Sequence, residues 1–472
     1  MYLKNDLNQC FTIFLMNIFI HRRDLRINDN NSLINLAKNC NNINPIFIFN
    51  PEQIFPEKNQ YFSNNLVEFM CDSLKDLHNQ YKKYNIDFMI FEGDIIDVLN
   101  SINNTQKIKS LGFNKDYSPF SKKRDTLIKS WCKKNKIKLI NEEDMLLVDI
   151  SSKKSINPNS KKPYHVFSPF LKNMKKTSIL KPIEYKPNFT SNKIISKYKI
   201  KLNDISKYYK INSEKHVSGN RNQALDILKN ISKLDEYNKL RGNLNYSTSN
   251  LSAFINMGIV SIREVYHTIM DKLGSDSLLL NELYWRDFYY NILYYYPDVV
   301  KGSFKKKYDK LNWENDENKF TLWKEGKTGF PVVDACMRQL NKTGYMHNRG
   351  RMIVSSFLTK DLHIDWRWGE KYFANKLIDY NISANNGGWQ WTAGTGTDSQ
   401  PYFRIFNPWT QSANYDNNCN YIKKWIPELK DIDNKIIHNW NKYYIKYPDV
   451  YLKPIIDHSE SRKKTLLMYK NV

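Results

Sequence analysis

The chain has 472 residues, which is enough for two or three domains with a sizeable core. It carries 72 Lys and Arg against 48 Asp and Glu, and the net charge of +24 favours a nucleic acid over a small acidic substrate as its anionic partner. Part of the Lys and Asn richness could instead reflect AT-biased coding, so the charge alone assigns no function.

Cysteine spacing and apolar runs exclude further classes of protein. The six cysteines are scattered without a C-x-x-C pair, which fits neither a disulfide framework nor a zinc site. We therefore predict an intracellular protein without a metal, in the cytoplasm, nucleoid or nucleus according to its host. No apolar run approaches the ~20 residues that span a bilayer. Phe11–Ile20 lacks a following signal-peptide cleavage site, and Met16 could be the start, which would make residues 1–15 an extension.

From Met16 onward, short apolar strands alternate with amphipathic helices. The predicted strands are Asn17–Ile20, Ile46–Phe49, Asp87–Phe91, Ile108–Phe113 and Ile137–Asn141. The predicted helices lie near Ser32–Cys40, Asn65–Tyr84, Ile95–Ser101 and Lys122–Lys134. This alternation predicts a doubly wound parallel sheet, and therefore an α/β domain over residues 16–147.

The composition changes after the last of these strands. Residues 148–210 are rich in Lys, Ser, Asn and Pro and have little periodicity, which predicts a long interdomain linker. Residues 211–472 show a helical pattern and no sustained strand alternation, so we predict an all-α domain around an internal pocket. Its aromatic stripes lie near Leu279–Tyr296, Val332–Leu340, Arg351–Leu362 and Trp368–Asp379.

The run Leu377–Asp398 is the least ordinary stretch of the chain. It places Asn385, Asn386, Gly387 and Gly388 in a row, although Asn and Gly weaken helix interiors. Such a run allows backbone and amides to approach a planar polar ligand closely, with indoles behind it. The alternative that composition leaves open is a turn between two core helices.

Two further clusters carry chemistry. Thr248–Ser252 offers three hydroxyls and backbone amides that suit a pyrophosphate, although a helix N-cap is the more common meaning of such a cluster. Glu282, Trp285 and Tyr289 fall on one face of a predicted helix. A buried aromatic stripe with a surface Glu is the alternative, but a carboxylate among aromatic rings needs a polar partner. Arg286 could pair with Glu282 or face a phosphate.

Several long motifs in the expected order resemble the DNA photolyase and cryptochrome family. The resemblance covers nearly the whole chain, from about Met16 to Leu429. Its motifs are Arg22–Arg26 with Asp29 and Asn30, Tyr164–Phe170, Asn281–Tyr289, Trp323–Arg338, Gly344–Met352 and Leu377–Trp409. In this family Tyr164–Phe170 resembles a patch that docks the linker.

The resemblance implies an FAD held in the helical domain, reduced and anionic in its active form. The implied cofactor-binding residues are Tyr237, Thr248, Ser249, Asn250, Leu251, Ser252, Arg286, Asn348, Arg351, Asp379, Tyr380, Asn381 and Asn385. Asn385 would face flavin N5, and Arg351 would pair with Asp379. The family usually has Arg at the position of Asn250 and Asp at that of Asn381, so these two contacts depart from its pattern.

The resemblance also implies light-driven repair of pyrimidine dimers in UV-damaged DNA by a monomer. The implied catalytic residues are Glu282, Asn348, Met352, Asn385, Trp313, Trp366 and Trp389. Trp389, Trp366 and Trp313 would relay electrons from the surface to the flavin. The implied DNA-binding residues are Arg241, Glu282, Trp285, Tyr289, Asn348, Arg349 and Gln411.

Single positions bear on the subclass of photolyase and on the antenna, the second, light-harvesting chromophore that members of this family can carry. Six-four photolyases carry a His-His pair where this chain reads Met346–Arg349, so we predict cyclobutane dimers as the substrate. The alternatives are a six-four photolyase, a cryptochrome-type photoreceptor and a purely structural nucleic-acid-binding protein. Phe120 and Ser121 stand where folate-type members carry an Asn-Glu pair, which leaves methenyltetrahydrofolate, a deazaflavin or no antenna open.

Overall fold

The computed structural model describes residues 15–472, apart from the side chain of Lys153. All but the last residue of the predicted extension 1–15 lies outside the described residues. Within them, a parallel sheet with helices forms the first part of the chain and a helical assembly the last, as the sequence predicts. None of the described helices is both long and apolar enough to cross a membrane.

Five parallel strands form the sheet of the first domain. They are β1 (Met16–His21), β2 (Asn44–Phe49), β3 (Met89–Glu92), β4 (Ile108–Gly112) and β5 (Lys138–Ile140). Their spatial order is β5-β4-β1-β2-β3, so the direction of winding reverses beside β1. Each predicted strand is present, with ends that differ by at most two residues. The reversal leaves the loops after β1 and β4 next to each other, at the edge that faces the helical domain.

Five helices cover this sheet. They are α1 (Asn31–Ala37), α2 (Pro51–Ile54), α3 (Asn64–Lys82), α4 (Ile95–Thr105) and α5 (Pro119–Lys134). Each follows a residue whose side chain accepts a hydrogen bond from a backbone N–H of the first turn, such as Ser63 before α3 and Ser118 before α5. The four-residue helix α2 is not among the predicted helices, because it is too short to show a helical period.

The linker region contains short regular elements. Helix α6 (Phe167–Met174) packs against the helical domain, and strand β6 (Lys199–Ile200) pairs antiparallel with β3 at the edge of the sheet. The region therefore contacts both parts of the molecule instead of only joining them.

The helical part of the chain surrounds one central helix. Its helices are α7 (Arg221–Lys229), α8 (Tyr237–Leu240), α9 (Ser252–Asn256), α10 (Ile262–Leu273), α11 (Leu278–Tyr295), α12 (Glu317–Glu325), α13 (Pro331–Thr343), α14 (Asn348–Lys360), α15 (Trp366–Lys376), α16 (Ile382–Ala393), α17 (Pro408–Tyr415), α18 (Asn420–Trp425), α19 (Asn434–His438), α20 (Trp440–Tyr443) and α21 (His458–Lys470). Short 3-10 helices lie in the linker region at Lys153–Ser155 and Leu202–Tyr208. Others lie in the helical part at Ile231–Leu234, Pro297–Val300, Lys306–Lys310, Pro427–Leu429 and Tyr444–Lys446. Helix α16 contacts α11, α14 and α15.

A buried cluster of charges joins the two parts of the molecule. Arg263 of α10 donates from Nε to Asp29 Oδ2 at 2.8 Å and from Nη2 to Asp144 Oδ1 at 2.9 Å. Arg26 donates to the other oxygen of Asp144 at 2.5 Å. Burial opposes the charge of Arg263, but Asp144 and Asp29 raise its pKa above the ordinary value. The cluster fixes the loop after β1 against the helical domain.

Removing Arg263 leaves the buried carboxylate of Asp29 without its guanidinium partner and leaves Asp144 paired with Arg26 alone. We expect Arg263→Met to lower the free energy of unfolding in urea by ~3–5 kcal/mol, the usual loss when one partner of a buried ion pair is removed. The control is Arg462→Met, which changes an exposed arginine of α21. Equal stability of the two variants would show that the cluster does not hold the domains together.

Candidate active site

A cavity of about 560 Å³ opens into the helical part of the chain, within the size range of small-molecule sites. Its wall is formed by α11, α14 and α16 together with the segment 248–252. The predicted site residues that line it are Tyr237, Arg241, Thr248, Ser249, Asn250, Leu251, Ser252, Glu282, Trp285, Arg286, Tyr289, Asn348, Arg349, Arg351, Met352, Asp379, Asn381, Asn385 and Trp389. Motifs that are far apart in the sequence thus meet at one cavity.

Helix α16 forms the floor of the cavity. Asn385, Asn386, Gly387 and Gly388 lie inside this helix, so the alternative of a turn between two helices is wrong. Asn381 caps the helix, because its side-chain oxygen accepts from the N–H groups of Ser383 and Ala384 at 3.1 and 3.2 Å. Capping and packing therefore overcome the weak helix propensity of the Asn and Gly residues.

The two adjacent glycines of α16 meet different surroundings. A Cβ on Gly387 would lie 2.1 Å from Cδ1 of Tyr289, so the ring of α11 packs directly on the helix backbone. A Cβ on Gly388 would meet no atom within 4 Å, although Gly388 lines the cavity. Gly387 therefore permits helix contact, and Gly388 keeps the floor open.

Asn385 is held by a buried carboxyl group from α15. Its Nδ2 donates to the backbone oxygen of Glu370 at 3.0 Å and to Glu370 Oε1 at 2.9 Å. Burial raises the pKa of Glu370 to about 7, while the hydrogen bond from Asn385 lowers it. Glu370 thus fixes the orientation of the Asn385 amide at the cavity wall.

The segment 248–252 borders the cavity with polar backbone. Asn250 has a φ of +54°, and the N–H groups of Ser249, Asn250 and Leu251 donate to no acceptor within residues 15–472. The Oδ1 of Asn250 lies 3.0 Å from His216 Nε2, and that imidazole stacks on Tyr345 at 3.9 Å. Ser252 begins α9 without a side-chain capping bond, which argues against the N-cap interpretation. Free N–H groups of this kind suit an anion.

An ion pair spans the cavity wall between α14 and the loop before α16. Arg351 Nη2 donates to both carboxylate oxygens of Asp379, at 3.1 and 2.9 Å, and its Nε donates to the Met346 oxygen at 2.8 Å. Burial works against the charge of Arg351, but Asp379 raises its pKa. The guanidinium is therefore a fixed cation beside the cavity.

The mouth of the cavity carries a carboxylate and arginines. Glu282 Oε1 accepts from Arg241 Nη1 at 2.8 Å. Desolvation raises the pKa of Glu282, and Arg241 opposes the shift. The suggested pairing of Glu282 with Arg286 is wrong, because Arg286 Nη1 donates to the Met145 oxygen at 2.8 Å. The guanidinium of Arg349 lies 4.0 Å from the centre of the Tyr415 ring.

Four predicted site residues do not line the cavity. Trp366 is buried in the same hydrophobic cluster as Trp389, the half-buried Trp313 has its ring centre 6.3 Å from that of Tyr469, and Tyr380 stacks on Tyr61 with ring centres 6.4 Å apart. Gln411 lies on α17 with its Oε1 buried and without a partner among the described residues. Trp389 does line the cavity, with Phe373 at 5.0 Å behind it. The roles of these residues stay predictions.

The structure also reveals residues that the sequence analysis missed. Tyr345 lines the cavity, Glu370 accepts a hydrogen bond from Asn385 of its wall, and His216 contacts Asn250 and stacks on Tyr345. Tyr345 lies within the motif Gly344–Met352 and was the one of these that could have been found.

At the antenna position, Ser121 Oγ accepts from Ser118 Oγ at 2.8 Å, and the guanidinium of Arg124 lies 5.8 Å from the centre of the Phe120 ring.

Comparisons with known proteins agree with this arrangement. Residues 17–188 match the family model described as DNA photolyase, and residues 279–471 match that of the FAD binding domain of DNA photolyase. A deoxyribodipyrimidine photo-lyase of Buchnera aphidicola subsp. Baizongia pistaciae is 34% identical over 97% of this chain and 98% of its own. One from Vibrio cholerae is 49% identical, but over 47% of this chain and only about half, 49%, of its own length.

Solved structures extend the likeness to the fold. The archaeal photolyase from Sulfolobus tokodaii, crystallised with two FAD molecules, has a TM-score of 0.86 and 35% identity, and the match covers 97% of this chain and 100% of that one. The Synechocystis cryptochrome has a TM-score of 0.86 at 25% identity, over 97% of this chain and 99% of its own.

The cavity fits an FAD. The open space above Gly388 leaves room for a flat ring against backbone, and the unpaired N–H groups of 249–251 suit the pyrophosphate. Arg351, fixed by Asp379, and the oriented amide of Asn385 would hold the ring system between them.

The two glycines of the floor provide a matched pair of variants. We expect Gly387→Ala to force Tyr289 aside and destabilise the FAD-free protein by about 1–3 kcal/mol, as overpacking does. Gly388→Ala has no such clash, so its FAD-free form should be as stable as wild type or up to ~1 kcal/mol more stable.

The same pair tests the position of the cofactor. The methyl group of Gly388→Ala would enter the cavity, so this variant should purify with a clearly lower ratio of FAD to protein by absorbance. A full complement of FAD in Gly388→Ala would contradict the placement of the ring over this residue.

Proposed function

The chain belongs to the DNA photolyase family and is an FAD-dependent deoxyribodipyrimidine photo-lyase, and we propose that it repairs cyclobutane pyrimidine dimers with the residues of this cavity. The observation that carries the proposal is one cavity lined in part by polar backbone and a fixed amide, and in part by a carboxyl group beside aromatic rings. The first suits the cofactor and the second a flipped pair of pyrimidines.

When bound, reduced FAD supplies the electron that blue light drives into the dimer. The protein orients the two partners and excludes water from between them. Trp389 and Phe373 close the inner end with apolar surface, while Arg351 keeps a positive charge near the ring system. Low polarity around fixed charges strengthens their effect on the developing negative charge of the dimer.

Glu282 is the group that we assign to the dimer itself. Desolvation raises the pKa of Glu282 against the opposing Arg241, so this carboxyl group gains a proton more readily than an exposed Glu, and it can then donate its O–H to a pyrimidine carbonyl. Such a bond stabilises the dimer radical anion while the ring opens, before the electron returns. On α14, the Nδ2 of Asn348 lies 3.8 Å from the Sδ of Met352, and both side chains would contact the lesion from that helix.

DNA would approach through the arginines at the mouth. Arg241 is exposed and Arg349 is partly exposed. Phosphate contacts of this kind supply affinity, and the unpaired dimer costs less to flip than an intact pair. We further propose that the protein acts as an intracellular monomer, and the five described cysteines, which form no disulfide, agree with a reducing compartment.

The six-four alternative is less well supported at one position. His347 caps α14, its Nδ1 accepting from the Arg349 N–H at 3.1 Å. Burial, with Arg349 and Arg351 nearby, lowers the pKa of His347 to about 4. A neutral, buried capping imidazole is not placed to act as an acid on a six-four product.

Glu282→Ala tests the assignment at the dimer. We expect the repair yield per absorbed photon to fall by about 3- to 10-fold, consistent with the loss of a hydrogen bond of ~1 kcal/mol, with FAD content unchanged. The control is Glu317→Ala on the exposed start of α12. Loss of FAD from Glu282→Ala, or an unchanged yield, would mean that Glu282 does not contact the dimer.

Trp389→Phe tests the electron relay separately from repair. Phenylalanine is much harder to oxidise than tryptophan, so light should no longer reduce the oxidised flavin, whereas chemically pre-reduced enzyme should still repair. Flavin absorbance during illumination measures the first effect and product analysis the second. The control is Trp425→Phe, which changes a tryptophan at the end of α18 that does not line the cavity. Photoreduction that survives in Trp389→Phe would refute the relay.

A further inference from the structure

The segment Tyr164–Phe170 of the linker has a role still to be explained. It is tied to the helical domain at three points. Asn291 of α11 donates to the Tyr164 oxygen at 3.1 Å, Thr397 Oγ1 donates to the His165 oxygen at 2.6 Å, and the Phe167 N–H donates to Asp398 Oδ2 at 3.0 Å. The linker is therefore fixed beside the wall of the cavity.

The ring of Phe167 lies face to face with Trp285. Their centroids are 3.6 Å apart and their planes differ by 8°. Phe167 is 7% exposed, whereas Trp285 is partly exposed and lines the cavity. The ring of Tyr289 has its centre 5.7 Å from that of Trp285, with 29° between the two planes, and it packs on Gly387 of the floor. A row of rings thus runs from the linker to the cavity floor.

Trp285 needs a partner of this kind to keep one orientation. An indole at an open cavity can change its side-chain rotamer unless packing selects one. Phe167 covers one face of Trp285, and Phe288 meets it edge-on at 5.7 Å and 83°. The anchor of Phe167 is itself constrained, since Asp398 keeps a φ of +44° while it accepts the Phe167 N–H.

We propose that Phe167 is a positioning residue for lesion recognition, which holds the Trp285 indole in the plane in which it stacks on the flipped dimer. The proposal rests on the proposed function and on the DNA-binding role that the resemblance implies for Trp285, whose indole lines the cavity on the same helix face as Glu282 and would stack on the flipped bases. A positioned ring binds without first giving up rotamer freedom, so Phe167 increases affinity for damaged DNA without touching it. Undamaged DNA does not enter the cavity, and its binding does not depend on this stack.

Phe167→Leu removes the stacked ring but keeps an apolar side chain. We expect it to weaken dark binding of FAD-loaded protein to an oligonucleotide with one cyclobutane dimer by about 2- to 10-fold, as measured by fluorescence anisotropy. Affinity for the undamaged oligonucleotide and the FAD content should not change. Phe167→Tyr keeps the ring and should bind like wild type.

Phe170→Leu is the matched control. Phe170 lies on the same helix and is also buried, but its ring contacts Phe288 at 5.4 Å and Tyr164 at 5.9 Å, not Trp285. If Phe167 only supports the packing of α6, both leucine variants should lose affinity equally and for both oligonucleotides. That result would overturn the proposal, as would wild-type discrimination in Phe167→Leu.

A double-mutant cycle separates this inference from the function on which it rests. Trp285→Ala should abolish most of the preference for the dimer, and adding Phe167→Leu to it should cause no further loss. Additive losses would show that Phe167 acts independently of Trp285. Full discrimination in Trp285→Ala would instead refute the assignment of Trp285 to the dimer, while leaving the FAD assignment intact.

Discussion

Helix α16 approaches its neighbours at distances that only glycine allows. Gly369 of α15 leaves room for Trp389, whose ring would lie 2.1 Å from a Cβ there, and Gly387 admits the ring of Tyr289. These contacts place a helix backbone, rather than side chains, at the floor of the cavity. The open position at Gly388 and the oriented amide of Asn385 then follow, and with them the capacity to hold a flat cofactor.

The rest of the molecule holds the wall of that cavity in place. The buried cluster around Arg263 fixes the sheet domain against the helical domain, and the linker places Phe167 behind Trp285. The inner end and the mouth of the cavity are therefore formed by different kinds of contact. The inner end is made by close helix packing, and the mouth by side chains with positions that depend on segments distant in the sequence.

Much of the fold follows from simple patterns, because five short apolar runs alternate with capped amphipathic helices. The two-residue strand β6 has no period of its own, and it forms only because β3 offers a free edge. The helix through Asn385–Gly388 goes against local propensity and depends on the Asn381 cap and tertiary packing. The contact between His216 and Asn250 could not be predicted, since a single histidine carries no spacing signal.

The most direct test uses reduced, FAD-loaded protein and two oligonucleotides, one with a single cyclobutane thymine dimer and one with a single six-four product. Chromatography would follow the products after incubation in blue light and in darkness. We expect restored thymines from the cyclobutane dimer in light only, with the six-four product unchanged. No repair of the dimer by protein that carries its flavin, or repair of the six-four product, would contradict this expectation.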